Sequence, residues 1–376
     1  MNKKILFIAP SLCIGGMERV LVNYANEFSK KGYEITIKLY NSQIDLVKYL
    51  DPKIILQVIP NKSFPILSKL PLIKNYININ DWILYFSPKA LYKYYVEKKY
   101  DIEIAFFRGL SVKIVSGSTN KKSKKIAWVH SDFLKCKGIT SSFRNINKTK
   151  QAYKKFDSII CVSNSVAKSF SMKMGISKNV HTIYNILPIK EIIKNSKVKI
   201  NFTFDSKFTM IAIGHLVKHK GFDRLIKVIL KLNKEKIKCS LIILGDGPEE
   251  RSLSSFIKKN NLFNVKLLGI KENPYPYIQK SKLLVCSSLY EGYNLTIAEA
   301  LILGIPVLST DCSGPNEILN YGQYGLIVKN NTISLYDGIK KLLLDEEIYT
   351  YYKNQAQKRL QFFDKNKSIK QIEKLF

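Results

Sequence analysis

Two carboxylates eight residues apart, Glu291 and Glu299, stand in the stretch CSSLYEGYNLTIAEALILG at residues 286–304. An ionised carboxylate only accepts hydrogen bonds, which makes it a natural partner for a sugar hydroxyl or a ribose diol. The apolar run 282–286 reads as a buried strand that Ser287 and Ser288 end, and a turn carries Glu291 and Gly292. From about Asn294 the spacing of Leu295, Ala298, Leu301 and Ile302 is helical. Asn294 and Thr296 are candidate caps, and Gly304 before Pro306 is the stop. Glu291 therefore falls at a strand-to-helix mouth and Glu299 inside the helix. The amides of Tyr293, Asn294, Leu295 and Thr296 lack intrahelical partners and lie at the positive helix end, where a diphosphate can be held. Glu299 is about five residues on, roughly 7–8 Å along the axis, the reach from a diphosphate to the far side of its ribose. The plain alternative is an acid favouring the helix dipole and a second, solvated Glu.

A second group of candidates precedes it. Lys220 stands immediately before Gly221 and a helical run, placed to add an ammonium to an anion site. His215 and His219 have a spacing that invites a metal, but no carboxylate or Cys accompanies them in sequence. Asp246, in LGDGPEE, reads as a turn residue. Gly15-Gly16 either permits a tight turn or lets the backbone approach a phosphate or sugar. The G-x-G-x-x-G pattern is missing there, and the second strand ends in Asn41-Ser42 without an acid, which argues against a nicotinamide site. His130 ends the run KIAWVH, at the carboxyl end of a strand, where open α/β sheets place their ligands.

The elements that must position these groups alternate. Strands are expected at residues 5–9, 34–40, 101–107, 125–130 and 158–163. Further strands follow in FTMIAIG, CSLIILG and NVKLLG, at 282–286, and in PVLSTD; DCSGPNEIL is taken as an exit loop. Strand, glycine turn, helix and strand open a doubly wound α/β domain, and the pattern restarts after a polar, lysine-rich stretch. Domains are expected at 1–190 and 208–360, with a linker at 191–207 and a terminal helix at 361–376.

The chain has 376 residues, 46% of them apolar, and six scattered cysteines without a C-x-x-C pair. That suits two ordinary domains and cysteines kept as small hydrophobes, and hence a cytoplasmic protein. The apolar run 5–9 is too short for a signal peptide, and none reaches the roughly 20 residues that span a bilayer. The formal charge of +32 points to anionic membrane or to nucleic acid, but the lysines are spread throughout and no nucleic-acid module stands out. Residues 45–100 set Leu, Ile and Tyr beside Lys, as in LSKLPLIKNYININDWILYF and ALYKYYVEKK. Peripheral contact with the inner face of a membrane is expected there, against ordinary packing of an amphipathic helix.

The string EGYNLTIAEA resembles the E-x7-E motif of glycosyltransferase family 4, retaining enzymes of the GT-B fold. The resemblance implies two Rossmann-like domains facing across a cleft, with the nucleotide on the second and the acceptor on the first. It implies that Glu291 contacts the donor sugar, Glu299 the ribose, and His130, in a W-x-H string before Asp132, the sugar from the first domain. Ile270, after Leu268-Gly269, falls where the family reads the base through its backbone. The family's G-R-L then K-G becomes Gly214-His215-Leu216 and Lys220-Gly221 here. His215 thus replaces an Arg, and a neutral imidazole cannot grip phosphate bidentately. The terminal helix is expected to cross back onto the first domain.

The expected activity is hexosyl transfer with retention from a nucleotide-sugar, a UDP-sugar by preference, to a glycan or lipid-linked glycan acceptor of surface polysaccharide such as capsule or O-antigen. Glu291, Lys220 and His130 are the expected catalytic residues. The expected donor contacts are Gly16, His215, Ile270, Gly292, Tyr293, Asn294, Leu295, Thr296 and Glu299. No metal or other cofactor is expected, since no D-x-D string is present. The alternatives are an epimerase or hydrolase on the same fold and, further off, a dinucleotide oxidoreductase or a basic nucleic-acid-binding protein.

Overall fold

Runs such as KILFIA and SLIIL are apolar at nearly every position, so both faces of their strands must be covered, as in parallel sheets flanked by helices. A computed structural model describes residues 3–59, 84–204 and 206–376 and contains two units. The first is Met1–Ile186 with Lys365–Phe376; the second is Leu187–Asp364.

In the first unit the chain runs β1 (Lys4–Ala9), α1 (Gly16–Lys30), β2 (Glu34–Leu39), β3 (Ile55–Val58), α2 (Pro88–Tyr95), β4 (Ile102–Ala105) and α3 (Leu110–Val115). It continues through β5 (Lys124–Val129), α4 (Ile146–Tyr153), β6 (Ser158–Cys161), α5 (Asn164–Met174) and β7 (Val180–Thr182). Among the described residues the sheet order is β3-β2-β1-β4-β5-β6-β7, with every pair parallel. The order reverses between β1 and β4. Behind that point Trp128 is fully buried between Tyr24 and Phe106, with ring centroids at 4.7 and 4.8 Å. His130 joins this layer, 4.8 Å from the Phe106 ring, and its Nε2 lies 2.9 Å from the Phe106 carbonyl oxygen. A carbonyl oxygen only accepts, so Nε2 carries the proton and the ring is held by one tautomer.

The second unit runs α6 (Ile189–Ser196), β8 (Thr209–Ile213), α7 (Phe222–Lys234), β9 (Ser240–Leu244), α8 (Glu250–Lys259), β10 (Val265–Leu267) and α9 (Tyr275–Lys280). Then follow β11 (Leu283–Cys286), α10 (Leu295–Ile302), β12 (Val307–Thr310), α11 (Ser313–Ile318), β13 (Leu326–Val328), α12 (Thr332–Leu344) and α13 (Glu346–Lys358). The described sheet is parallel throughout, in the order β10-β9-β8-β11-β12-β13. Its reversal lies between β8 and β11, so the loops leaving those two strands diverge there and open a crevice. The core joins the apolar face of α7 (Leu225, Ile229, Leu232) to Leu241, Ile243, Leu335 and Ile339.

Four expectations need correction. Residues 191–207 are not a plain linker: α6 covers their start, because Ile192 is fully buried and gives the lysine-rich segment an inward face. DCSGPNEIL is not only a loop, since α11 begins after an extended Cys312, and Pro315 in its first turn needs no amide partner. The terminal helix α14 spans Lys365–Glu373 and belongs to the first unit only from Lys365. There Ile369 and Ile372 are buried and Phe376 packs between Phe28 and Tyr33, while Lys31–Glu373 and Lys365–Glu27 pair at 3.0 and 2.8 Å. The apolar burial, about 2 kcal/mol per side chain, outweighs such half-exposed pairs at about 1 kcal/mol or less.

The fourth correction concerns ALYKYYVEKK. The helix α2 turns Leu91, Tyr92 and Tyr95 inward, so its apolar face is spent on its own unit rather than offered to a bilayer. Most of LSKLPLIKNYININDWILYF, through residue 83, lies outside the described residues. Among the described residues no helix is long and apolar enough to cross a membrane.

Two expected outcomes follow from this packing. Gly245, at φ +139°, binds the Gly269 carbonyl through its amide, and a Cβ there would overlap the Gly214 carbonyl oxygen. Gly245→Ala should lower the unfolding free energy of the second unit by about 2–4 kcal/mol in urea titrations; an unchanged midpoint would refute this packing. In the first unit, burial pushes His130 down to about 4, only partly offset by its bond to Phe106. The folded protein thus disfavours the imidazolium that an unfolded chain forms below about 6.5. The His130 contribution is complete above that value and is lost as pH falls toward 4, by about 2 kcal/mol between pH 7 and 5. Urea unfolding of the wild type and His130→Gln at both pH values checks this; equal pH slopes would contradict it.

Candidate active site

Lys220 and Glu291 sit in the two loops that leave β8 and β11, on either side of the crevice in the second sheet. Each is placed by local chemistry. A single 3-10 turn, Lys218–Lys220, ends at Gly221 in the left-handed region (φ +65°), and α7 starts there. A Cβ on Gly221 would overlap the Ser287 carbonyl oxygen, so glycine allows the two loops to touch. Ser287 Oγ then donates to the Lys220 carbonyl at 2.8 Å. On the other side Asn294 caps α10: its Oδ1 accepts from the Ile297 amide at 3.2 Å and from Thr296 Oγ1 at 2.7 Å. The capping side chain also turns its Nδ2 to Glu291 Oε1 at 3.1 Å.

Three donors meet on that one oxygen. Lys220 Nζ and Ser288 Oγ each lie 2.7 Å from Glu291 Oε1, and Asn294 Nδ2 completes the set. The Lys220 and Glu291 side chains retain 20% and 10% of their exposure, so the ion pair is shielded but open at one side. Burial alone would push the Lys220 ammonium down, but the charge and hydrogen bond of Glu291 outweigh it and leave it raised. The lysine is therefore charged through the neutral range.

The remaining candidates divide. Glu299 is buried one turn along α10, with Tyr275 Oη 3.4 Å from its Oε1. Gly292 and Tyr293 form the lip of the helix, against which Gly314 packs so closely that a Cβ would overlap the Gly292 carbonyl oxygen. His215 lies in the β8 loop, its Nδ1 3.3 Å from Asp246 Oδ1, with both side chains exposed. Asp246 is thus a turn residue that also orients His215. His219 stacks on Tyr290 (4.8 Å between centroids) rather than joining His215. Ile270 stands apart, exposed beyond edge strand β10 and not gathered with the ion pair. Gly16 begins α1 and His130 follows β5, both in the first unit.

Residues the sequence did not single out hold the centre together. Ser288 binds Glu291 directly, and Gly314 supports Gly292. Arg224 of α7 is buried and donates from Nε to the Ser287 carbonyl at 2.8 Å and from Nη2 to the Ser287 and Ser288 carbonyls. Its position three residues after Gly221, on the turn facing the β11 loop, is the one signal that could have marked it.

Known proteins resemble this chain in sequence and in fold. The family profile described as glycosyl transferases group 1 matches residues 193–359, and that of glycosyltransferase family 4 matches residues 14–190. An uncharacterized glycosyltransferase of Methanocaldococcus jannaschii is 30% identical over 292 residues, 67% of this chain and 71% of that protein. An N-acetylgalactosamine-N,N'-diacetylbacillosaminyl-diphospho-undecaprenol 4-alpha-N-acetylgalactosaminyltransferase of Campylobacter jejuni is 32% identical over 219 residues, 57% of this chain and 58% of that one. In structure, HepE of Anabaena, solved with UDP and glucose, aligns with a TM-score of 0.79 over 99% of both chains at 18% identity. The two parallel sheets with flanking helices are thus those of the GT-B fold, and the chain belongs to the family 4, or group 1, glycosyltransferases.

Proposed function

We propose that the chain moves a hexosyl group, with retention, from a UDP-sugar to a hydroxyl of a glycan or lipid-linked glycan acceptor. The observation that carries this reading is the Lys220–Glu291 pair at the sheet crevice, with the start of α10 beside it and Glu299 one turn further on. A diphosphate arriving at the helix end offers Lys220 more negative charge than Glu291 does. The ammonium moves to the phosphates, and Glu291, still held by Ser288 and Asn294, is released to accept from a sugar hydroxyl. Glu299 accepts from the ribose.

As the sugar–phosphate bond breaks, negative charge grows on the departing diphosphate. Lys220, the amides of Gly292, Tyr293, Leu295 and Thr296, and His215 when protonated stabilise it where a metal ion would otherwise stand. His215 is held for this by Asp246, and Ile270 serves the base through its backbone. On the first unit, Gly16 offers a close backbone approach, and neutral His130 presents Nδ1 to a hydroxyl. The acceptor hydroxyl attacks on the face the leaving group vacates and passes its proton to the departing phosphate oxygen, so the configuration is retained.

The setting is assembly of a surface glycan such as capsule, lipopolysaccharide or O-antigen, at the cytoplasmic face of a membrane. Support comes from the Campylobacter relative, whose name describes a diphospho-undecaprenol-linked acceptor, and from the charge of +32, which favours an anionic lipid surface.

Steady-state kinetics of UDP release, with UDP-sugars and lipid-linked acceptors, test the assignment. Glu299→Ala should raise the donor KM about 10-fold with kcat nearly kept, as for loss of a contact made equally in both states. Glu291→Ala and Lys220→Ala should lower kcat by about 100-fold or more. Near-normal kinetics in all three would remove the proposal, and turnover that needs no acceptor would instead indicate a hydrolase or epimerase.

A further inference from the structure

The turn at residues 287–289, which delivers Glu291, has its carbonyl oxygens gripped from three directions. From α7, the Arg224 guanidinium reaches Ser287 and Ser288. From β12, Thr310 Oγ1 lies 2.6 Å from the Ser288 oxygen, and Cys312 Sγ follows at 2.9 Å. From the loop after β13, Asn330 Nδ2 lies 3.3 Å from the Ser288 oxygen, 3.1 Å from that of Leu289 and 3.1 Å from that of Asp311. The backbone of the turn is thereby drawn inward, and Ser288 Oγ and Glu291 are left facing Lys220.

Arg224 takes part in none of the ion pairs found among the described residues. A buried cation satisfied by carbonyls instead of a carboxylate is an expensive way to gain stability, since its desolvation is not offset by a counter-charge. It does, however, fix two successive peptide planes with one rigid fork, which a lysine cannot do. Asn330 works likewise, since one amide nitrogen reaches three carbonyls of two loops.

We infer that Arg224 and Asn330 are positioning residues for transfer, acting through the 287–289 turn to hold Glu291 against Lys220. The inference rests on the reading of that pair as the reaction centre. Neither side chain is assigned to the donor, so their loss should copy the kinetic signature of losing Glu291: kcat falls and donor KM stays within about 3-fold.

The test uses the full-length enzyme with the same UDP-sugar and acceptor. Arg224→Ala should lower kcat by 10- to 100-fold, Arg224→Lys should recover only part of it, and 20–50 mM guanidinium should restore activity to the Ala variant but not to Glu291→Ala. Asn330→Asp, nearly isosteric, turns a donor into an acceptor facing three carbonyl oxygens and should cost at least 10-fold. The double variant Arg224→Ala/Glu291→Ala should be no slower than Glu291→Ala alone, since both act on one interaction.

Multiplying losses in the double variant, or kcat per folded molecule unchanged in Arg224→Ala and Asn330→Asp, would overturn the inference. If Arg224→Ala does not fold, Arg224→Lys and Asn330→Asp carry the test alone. Full activity in the Glu291 and Lys220 variants would instead strike the underlying reading, so the two failures are told apart.

Discussion

An ion pair shielded from water on most sides is held in the second unit by three donors on one carboxylate oxygen, and the arrangement around it depends on that contact. At 2.7 Å and an effective dielectric of about 20, the attraction between Lys220 and Glu291 is roughly 6 kcal/mol. Removing both charges from water costs several kcal/mol per ion, so the net gain in stability is small. Its value lies elsewhere. Both charges are held in place by hydrogen bonds within a shielded crevice, and groups fixed in this way are how a preorganised site differs from solvent. The raised Lys220 ammonium reflects the same balance, since the attraction of Glu291 exceeds the burial that opposes it.

That contact exists because of topology. Sheet order β10-β9-β8-β11-β12-β13 sends the β8 loop to one side and the β11 loop to the other, and at that reversal the two strand-end loops diverge. Glycines then bring the diverging loops back within reach. Gly221 lets the start of α7 touch the Ser287 carbonyl, Gly245 lets the β8 and β9 exits meet, and Gly314 closes the β12 exit on Gly292. A side chain at any of the three would collide with backbone, which cannot swing aside. The loops of β8, β9, β11 and β12 are thus joined through backbone contacts, and the ion pair stands where they meet.

How much of this was legible in the sequence depended on the range of each interaction. The helix of Glu299, its Asn294 cap and its Gly304 stop are local features of period and capping, and they were readable. Lys220 was readable because it adjoins a helix start. Its partner was not, because 71 residues separate Lys220 from Glu291 and no local rule pairs them. Arg224, Thr310 and Asn330 were missed for the same reason, since their work is to bind carbonyls of another segment. The helix α11 was missed because six residues are too few to show a period, and Ser-Gly-Pro reads as a turn. Lysines hid α6, where one buried isoleucine decides the fold. In α2 the same tyrosines that suggest a membrane face line a core, and composition alone does not separate these uses.

The two units solve different electrostatic problems at corresponding ends of their sheets. In the second, charge is concentrated and then balanced, and Lys220 remains an ammonium. In the first, His130 follows β5 inside an aromatic layer, where the Phe106 ring at 4.8 Å and the fully buried Trp128 give apolar surroundings that disfavour an imidazolium. Its proton on Nε2 is committed to the Phe106 carbonyl, so Nδ1 is left as an acceptor. An acceptor without charge suits a neutral hydroxyl and is ill suited to a phosphate. A neutral acceptor in the first unit and a lasting cation in the second are thus two outcomes of one variable, how much counter-charge the surrounding segments supply against burial.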